Sequence, residues 1–346
     1  MKKILFVILS ILIIGCIFTG MATAQQEKEV FKYVAIAKSL DNPAFIAAEA
    51  GARVRIAEIL AETDVIIELE WTAPTASDPA TEVMMIESYL QRGVDGMLIN
   101  SLGPSVGIAV NAAVAAGVPV VMWDSDNPES NRQSYVGSDN YQGGLYCGKM
   151  YVEAVKGKGK QKIAILTGVP GAYNLQQRDK GFKDALTESG IDFEIVVTVP
   201  GNDDLTQSVE AVENTLRGNS EINGFFFDGP WPLLVDPSNL PLMVKKVKDG
   251  NLTVVSFDTL QQELRYVDEG LVIGLVGQKY YGWGYQGLTV LHEIVTHNAK
   301  YPKIVNTGLD IVTLDGRGDT FTVSQFNEFW NNFSFEEKPI MPEDAN

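Results

Sequence analysis

Residues 94–124, VDGMLINSLGPSVGIAVNAAVAAGVPVVMWD, decide the fold class of this chain. The stretch opens and closes with short apolar runs, 94–99 and 119–123, and a polar residue, Asn100 or Asp124, directly follows each run. The segment between them has a proline at its start and a glycine at its end, as a helix does. A strand, a helix and a second strand in this order predict a parallel βαβ unit.

The same alternation extends in both directions from this unit. Further strands are predicted at 32–38, 65–71, 162–167, 194–199, 224–227, 253–257 and 271–276, with helices between them. A run of only about four residues near 135–138 interrupts the rhythm, and a fresh series begins after it. The pattern predicts an α/β protein of parallel sheets covered by helices, with a lobe boundary near residue 138.

Composition excludes several classes of protein. The 346 residues are 45% hydrophobic and 21% charged, which predicts two globular domains rather than a disordered chain. A formal net charge of −17 without any basic stripe argues against nucleic-acid binding. Two cysteines cannot form a disulfide scaffold, and two histidines leave little room for a metal site, so neither a metal nor a cofactor is expected.

The first 24 residues predict export. Two lysines precede an apolar run at 4–18, and Ala22-Thr23-Ala24 forms a small-residue cleavage site. The predicted signal peptide is therefore 1–24, and the mature protein is expected in the periplasm or outside the cell. An alternative processing site remains open because the residues around Cys16 resemble a bacterial lipobox, which would anchor the protein through a lipid on Cys16.

Sequence motifs for catalysis are weak. Residues 282–287 match the Gly-x-Gly-x-x-Gly dinucleotide pattern but are interpreted as glycines inside a helix that packs closely on a neighbour. His292 and His297 are five residues apart, so they do not share the helical face that a zinc pair needs. Cys147 has no evident base nearby, and a nucleophile elbow is missing from the sequence.

Polar residues follow the predicted strands at the edge where open parallel sheets bind ligands. They include Asn100, Asp124, Asp258 and Gln278, and Asn42 lies in the first loop; aromatic residues, among them Phe45, Trp123, Trp231 and Phe257, flank them. Carboxylates and amides beside aromatic faces suit a neutral polyhydroxylated ligand such as a sugar. A single aspartate after a strand can equally be a helix cap. Lysine and arginine are not found at these strand ends, with Arg178 the one cation nearby, which argues against a phosphorylated ligand.

With these residues the chain resembles the periplasmic sugar-binding proteins of bacterial ABC transporters, in the ribose- and galactose-type group. The segments that carry the resemblance include LDNPAF at 40–45, RGVDGMLIN at 92–100, YVGSDN at 135–140 and RDKGF at 178–182. It implies a type I periplasmic binding protein fold, in which two similar doubly wound lobes are joined by a three-segment hinge. The lobes would comprise 31–138 plus 279–307, and 139–278 plus 308–333. It implies ligand roles for Asn42, Phe45, Asn100, Asp124, Asp258 and Gln278.

The chain also departs from the family pattern. Ala44 stands where a second aromatic is common, and Gly229 where an asparagine is usual. Ser125 and Gln176 occupy positions where arginines are expected in ribose binders. Gln176, Trp231 and Phe257 complete the predicted site, with Trp231 as a stacking residue. These departures leave the sugar open between a pentose and a hexose.

The sequence therefore predicts an exported, monomeric binding protein that captures a monosaccharide by lobe closure and delivers it to the permease subunits of an ABC transporter. It is not expected to be an enzyme. A secreted α/β carbohydrate-active enzyme and a sugar receptor for chemotaxis remain as alternatives. A sugar-responsive DNA-binding regulator is disfavoured, because an export signal occupies the N-terminus.

Overall fold

Residues 28–331 are described by the computed structural model of the chain, so the predicted signal peptide and Cys16 lie outside the described residues. The strands are β1 (Val30–Ile36), β2 (Ile66–Thr72), β3 (Gly96–Ile99), β4 (Val120–Trp123), β5 (Ser134–Gly137), β6 (Gln161–Thr167), β7 (Phe193–Pro200), β8 (Gly224–Phe227), β9 (Thr253–Phe257), β10 (Gly274–Gln278), β11 (Ile304–Asn306) and β12 (Leu309–Thr313). The α-helices are α1 (Pro43–Thr63), α2 (Pro79–Arg92), α3 (Val106–Ala115), α4 (Asn140–Val155), α5 (Tyr173–Ser189), α6 (Leu205–Gly218), α7 (Pro241–Lys248), α8 (Gln261–Asp268), α9 (Tyr280–His297) and α10 (Val323–Asn331).

The strands form two six-stranded sheets with the orders β11-β5-β4-β3-β1-β2 and β12-β10-β9-β8-β6-β7. All neighbours pair in parallel except β10 and β12, which are antiparallel. In each sheet the first strand of the series lies inside the sheet and the chain winds outward on both sides, which is the doubly wound arrangement. The predicted α/β class with two similar parallel sheets is confirmed.

The chain passes between the two sheets three times. It leaves the first sheet after β5, and α4 then packs on β9 and β10 of the second sheet. It returns after β10, since α9 packs on β3, β4 and β5. It crosses again between β11 and β12. We call the first sheet with its helices lobe 1 and the second sheet with its helices lobe 2.

One predicted strand begins late in the structure, and one later segment is divided between two strands. The run predicted at 271–276 begins as a strand only at Gly274, because the N–H groups of Leu271 and Val272 donate to the carbonyl of Tyr266 at the end of α8. The segment 306–312 is divided between the end of β11 and the start of β12. Gly308, with φ of +86°, turns the chain from one sheet to the other.

Close helix packing in both lobes depends on glycine. In lobe 1, a Cβ on Gly284 of α9 would lie 1.8 Å from the carbonyl oxygen of Ala48 on α1. In lobe 2, a Cβ on Gly144 of α4 would lie 2.0 Å from the carbonyl oxygen of Arg178 on α5. The interpretation of 282–287 as helical residues is confirmed, because the whole segment lies inside α9.

His292 is a packing residue of lobe 1. Its ring is buried, and Nδ1 lies 2.9 Å from the hydroxyl oxygen of Tyr33. Burial lowers the pKa of His292 to about 4. The unfolded chain takes up this proton at a pH near 6.5, so acidification from there towards pH 4 protonates the unfolded state first and favours unfolding.

We therefore expect the free energy of unfolding to fall between pH 6.5 and pH 4 by less in His292→Gln than in the wild-type protein. Glutamine keeps a hydrogen-bonding partner for Tyr33 but does not titrate. The same substitution at the exposed His297 is the control. Chemical denaturation at a series of pH values measures the difference, and parallel profiles for the wild type and His292→Gln would rule out this linkage.

Candidate functional site

A cleft lies between the two lobes at the carboxyl ends of their strands, and its empty volume is about 370 Å³ with the mouth included. The residues that lobe 1 contributes to its lining are Lys38, Asn42, Ala44, Phe45, Asp124 and Trp283. Those from lobe 2 include Asn174, Arg178, Asp203, Trp231, Asp258 and Gln278.

The lobe 1 wall is built at the ends of β1 and β4. Asn42 caps α1, since its Oδ1 accepts from the N–H of Ala44 at 2.9 Å, and the same residue lines the cleft. Asp124 directly follows β4 with φ of +56°, and the hydroxyl of Tyr135 donates to its carbonyl oxygen at 2.8 Å. This bond to the main chain stabilises the left-handed backbone of Asp124, whose side chain borders the cleft.

Aromatic side chains form the apolar part of the lobe 1 wall. Phe45 meets Trp123 edge to face with ring centroids 5.6 Å apart, and Trp123 lies 6.2 Å from Trp283. Phe45 and Trp283 reach the cleft, whereas Trp123 supports them from behind. The arrangement supplies an apolar face beside the carboxylate of Asp124.

The lobe 2 wall centres on Asp258, which directly follows β9 with φ of +80°. Gln278 Nε2 donates to Asp258 Oδ1 at 2.8 Å, and Arg178 Nη1 lies 3.9 Å from Asp258 Oδ2. The Arg178 guanidinium lies over the ring of Phe257, 3.8 Å from its centroid. A cation–π contact of this kind holds the guanidinium in place.

Both acidic and basic side chains line the cleft. Burial raises the pKa of Asp258, and the positive charge of Arg178 opposes that rise. Burial likewise raises the pKa of Asp203, and the positive charge of Lys38 in the other lobe opposes this rise. Carboxylates that are buried with compensating cations are suited to accept hydrogen bonds from ligand hydroxyl groups.

A direct hydrogen bond between Ser125 and Asn174 joins the lobes beside the cleft. Ser125 Oγ of lobe 1 donates to Asn174 Oδ1 of lobe 2 at 3.0 Å, and both side chains are buried. Ser125 follows Asp124 in the chain, and Asn174 lies in the first turn of α5. The lobes are thus in contact next to a predicted ligand residue.

The structure brings most of the predicted site residues together. Asn42, Phe45, Asp124, Trp231, Asp258 and Gln278 all line the cleft. Asn100 follows β3 but is not among the residues that line the cleft; it is buried, and neither polar atom of its side chain has a hydrogen-bond partner among the described residues.

Two predicted residues lie elsewhere. Gln176 is exposed on α5, because residues two apart on a helix point in nearly opposite directions, and Asn174 and Arg178 take the inward positions. Phe257 is fully buried in the core of lobe 2 and supports Arg178 from behind instead of lining the cleft. Both expectations are corrected accordingly.

Four further residues line the cleft without having been predicted from the sequence, namely Lys38, Asn174, Asp203 and Trp283. Lys38 lies two residues beyond β1 and Asp203 three beyond β7, so the strand-end argument could have found both. The expectation that Arg178 is the one cation near the strand ends is wrong, since Lys38 also lines the cleft. No sequence signal identified Asn174 or Trp283, which reach the cleft from helices.

Trp231 lies in a short 3₁₀ turn after β8, is largely buried and borders the cleft. Gly168 and Gly229 make room for its indole, because a Cβ on either would lie within 2.5 Å of the ring. We expect ligand binding to change tryptophan fluorescence, and Trp231→Ala to lose most of that change together with affinity.

The control for this experiment is Trp71→Phe, because Trp71 packs against Trp123 without lining the cleft. Fluorescence titration of both variants measures signal and affinity together. Unchanged affinity in Trp231→Ala would leave Trp231 with a structural role alone.

Within residues 28–331, no group of three or more His, Cys, Asp and Glu side chains is placed to hold a metal ion. Across the same range, every helix is too short or too polar to cross a membrane. Cys147 is a buried free thiol, and burial raises its pKa well above the usual value.

Comparison with known proteins gives consistent results. The ribose import binding protein of Haemophilus influenzae is 27% identical over 281 residues, which cover 81% of this chain and 88% of that protein. The D-apiose import binding protein of Paraburkholderia graminis is 25% identical over 244 residues, which cover 70% of this chain and 73% of that protein.

Solved structures of other binding proteins are also similar to this chain. An ABC transporter solute binding protein from Burkholderia graminis, in complex with D-arabinose, matches with a TM-score of 0.72 and 28% identity over 86% of this chain and 100% of that chain. A glucose-galactose binding protein from Geobacillus stearothermophilus matches with a TM-score of 0.73 and 26% identity over 84% of this chain and 99% of that chain. The family model for the periplasmic binding protein domain matches residues 33–299. The resemblance inferred from the sequence is confirmed, and the chain belongs to the periplasmic binding protein family.

Proposed function

We propose that this protein binds one monosaccharide in the cleft between its lobes and delivers it to an ABC transporter permease. The observation that carries the proposal is that Asp124 and Asp258, from opposite lobes, border one cleft with Phe45 and Trp231. Two carboxylates can accept from several sugar hydroxyls, and the aromatic rings can cover the apolar face of the sugar. A pentose or a hexose fits this chemistry.

The relatives support this ligand class. Their names and titles refer to ribose, D-apiose, D-arabinose and glucose-galactose, all of them monosaccharides. They are binding proteins, which supports a role without catalysis. If the chain were instead a secreted carbohydrate-active enzyme, incubation with the bound sugar and its glycosides would yield a product.

Ligand capture would proceed by lobe closure. Contacts that need both Asp124 and Asp258 exist only when the lobes are together, so the sugar favours the closed state. The moving units would be 31–138 plus 279–307, and 139–278 plus 308–333, with the three chain crossings as the hinge. We further propose that the protein acts as a monomer, exported by residues 1–24, with Cys16 as the alternative lipid anchor.

A thermal-shift screen of the mature protein against pentoses and hexoses, followed by calorimetric titration of the best ligand, tests the proposal. A ligand present at 100 times its dissociation constant should stabilise the folded state by about 2.7 kcal/mol. One or a few monosaccharides should raise the melting temperature and titrate with one site per chain. If none of the panel does either, the proposed ligand class is wrong.

A further inference from the structure

Tyr280 connects the two lobes directly behind the cleft. It is the first residue of α9 in lobe 1, and its ring packs edge to face on Trp283 with centroids 5.1 Å apart. Its hydroxyl oxygen lies 3.0 Å from Asp258 Oδ1 and 2.9 Å from the backbone nitrogen of Thr259, both in lobe 2. The ring of Tyr280 therefore packs within lobe 1, whereas its hydroxyl group forms hydrogen bonds with lobe 2.

The hydrogen bonds around this hydroxyl have a fixed direction. The Thr259 N–H can only donate, so the Tyr280 oxygen accepts from it and the single hydroxyl hydrogen is directed to Asp258 Oδ1. Gln278 Nε2 donates to the same Oδ1 at 2.8 Å. One oxygen of the Asp258 carboxylate thus receives two protein donors.

Two acceptor atoms remain beside this network. Asp258 Oδ2 is 3.9 Å from Arg178 Nη1, which is too long for a hydrogen bond. Gln278 Oε1 is buried and has no hydrogen-bond partner among the described residues. Both residues line the cleft, so within this network these two atoms remain free to accept from ligand hydroxyls.

We propose that Tyr280 is a positioning residue of the sugar site, which with Gln278 occupies Asp258 Oδ1 and so directs Oδ2 and Gln278 Oε1 at two hydroxyl hydrogens of the ligand. This inference rests on the sugar-binding function proposed above. Burial also raises the pKa of Tyr280 well above its usual value, so the hydroxyl keeps its hydrogen at neutral pH.

The test is Tyr280→Phe, which keeps the ring packing and removes the hydroxyl. The matched control is Tyr151→Phe in lobe 2, where the removed hydroxyl lies 2.9 Å from Gln161 Oε1, in a buried position that does not line the cleft. We expect calorimetric titration with the sugar found in the screen to show about 5- to 30-fold weaker binding for Tyr280→Phe. The control should bind within twofold of the wild type.

The pH dependence of binding separates positioning from a general structural effect. The hydrogen bond from Tyr280 lowers the pKa of Asp258, whereas burial raises it. The other groups that face Asp258 are Arg178, Gln278, Asp124 and Glu263, and all are unchanged in the variant. Binding should therefore weaken on acidification at a higher pH in Tyr280→Phe than in the wild type.

A double variant gives a second, independent measurement. Because Tyr280 acts through Asp258, Tyr280→Phe should weaken binding by less than twofold when it is added to Asp258→Ala, which leaves no side-chain oxygen for Tyr280 to position. Full additivity would overturn the inference, as would wild-type affinity for Tyr280→Phe or an unchanged pH midpoint. None of these outcomes contradicts the proposed sugar-binding function. If the wild-type protein binds no monosaccharide, both the proposed function and this inference are wrong.

Discussion

Asp258→Asn is expected to weaken binding of the cognate monosaccharide by about 10- to 100-fold, and Asp124→Asn by a similar factor. Hydrogen bonds to a charged group contribute about 1.5–3 kcal/mol each, and an amide in place of the carboxylate removes the charge and one acceptor oxygen. Both aspartates are almost fully buried at the cleft, so bulk water cannot readily replace the lost bonds. Calorimetric titration measures the change.

The unliganded protein should keep its stability in Asp258→Asn. Burial raises the pKa of this carboxyl, so the folded protein gains little from the charge, and the asparagine oxygen can still accept from Gln278 and Tyr280. Asp268→Asn, on the exposed side of α8, is the matched control for net charge. Near-native affinity in both cleft variants would remove Asp124 and Asp258 from the site.

Gly284→Ala is expected to lower the free energy of unfolding by about 1–3 kcal/mol or more, because overpacking a tight interface forces the backbone apart. The added Cβ would lie 1.8 Å from the carbonyl oxygen of Ala48 and 3.0 Å from the backbone nitrogen of Ala52. Both are backbone atoms of α1, so no side-chain rotation relieves the contact. Chemical denaturation of the variant gives the value.

Gly287→Ala on the same helix is the control. Its new Cβ would have one near neighbour, a methyl carbon of Leu98 at 3.5 Å, which is an ordinary contact. Alanine is favoured over glycine in a helix by about 1 kcal/mol, so this variant should be as stable as the wild type or more stable. Equal destabilisation by the two substitutions would show that close packing of α1 and α9 is not the cause.

Much of the site could be predicted because it follows from strand ends. Asp124, Asp258 and Gln278 stand at the ends of β4, β9 and β10, and apolar runs mark those ends in the sequence. The Asn42-Pro43 pair likewise marks the start of α1 and places Phe45 in its first turn. In each case a local pattern fixes where the side chain lies relative to the sheet edge.

The remaining site residues depend on geometry that local patterns do not contain. Whether Asn174, Gln176 or Arg178 faces the cleft depends on the rotation of α5 about its axis. The bond between Tyr280 and Asp258 depends on how α9 of one lobe meets the β9 loop of the other. Lys38 is a different case, because strand-end reasoning applied to β1 would have included it.

The most direct test of the account is small-angle X-ray scattering from the mature protein, without ligand and with a saturating concentration of the monosaccharide found in the screen. When the two lobes close around the hinge formed by the three chain crossings, their centres of mass move closer together. Capture by lobe closure predicts a smaller radius of gyration in the presence of the bound sugar and no change with a sugar that does not bind. A scattering profile unaltered by a tightly bound sugar would contradict capture by closure and indicate a rigid, preformed pocket.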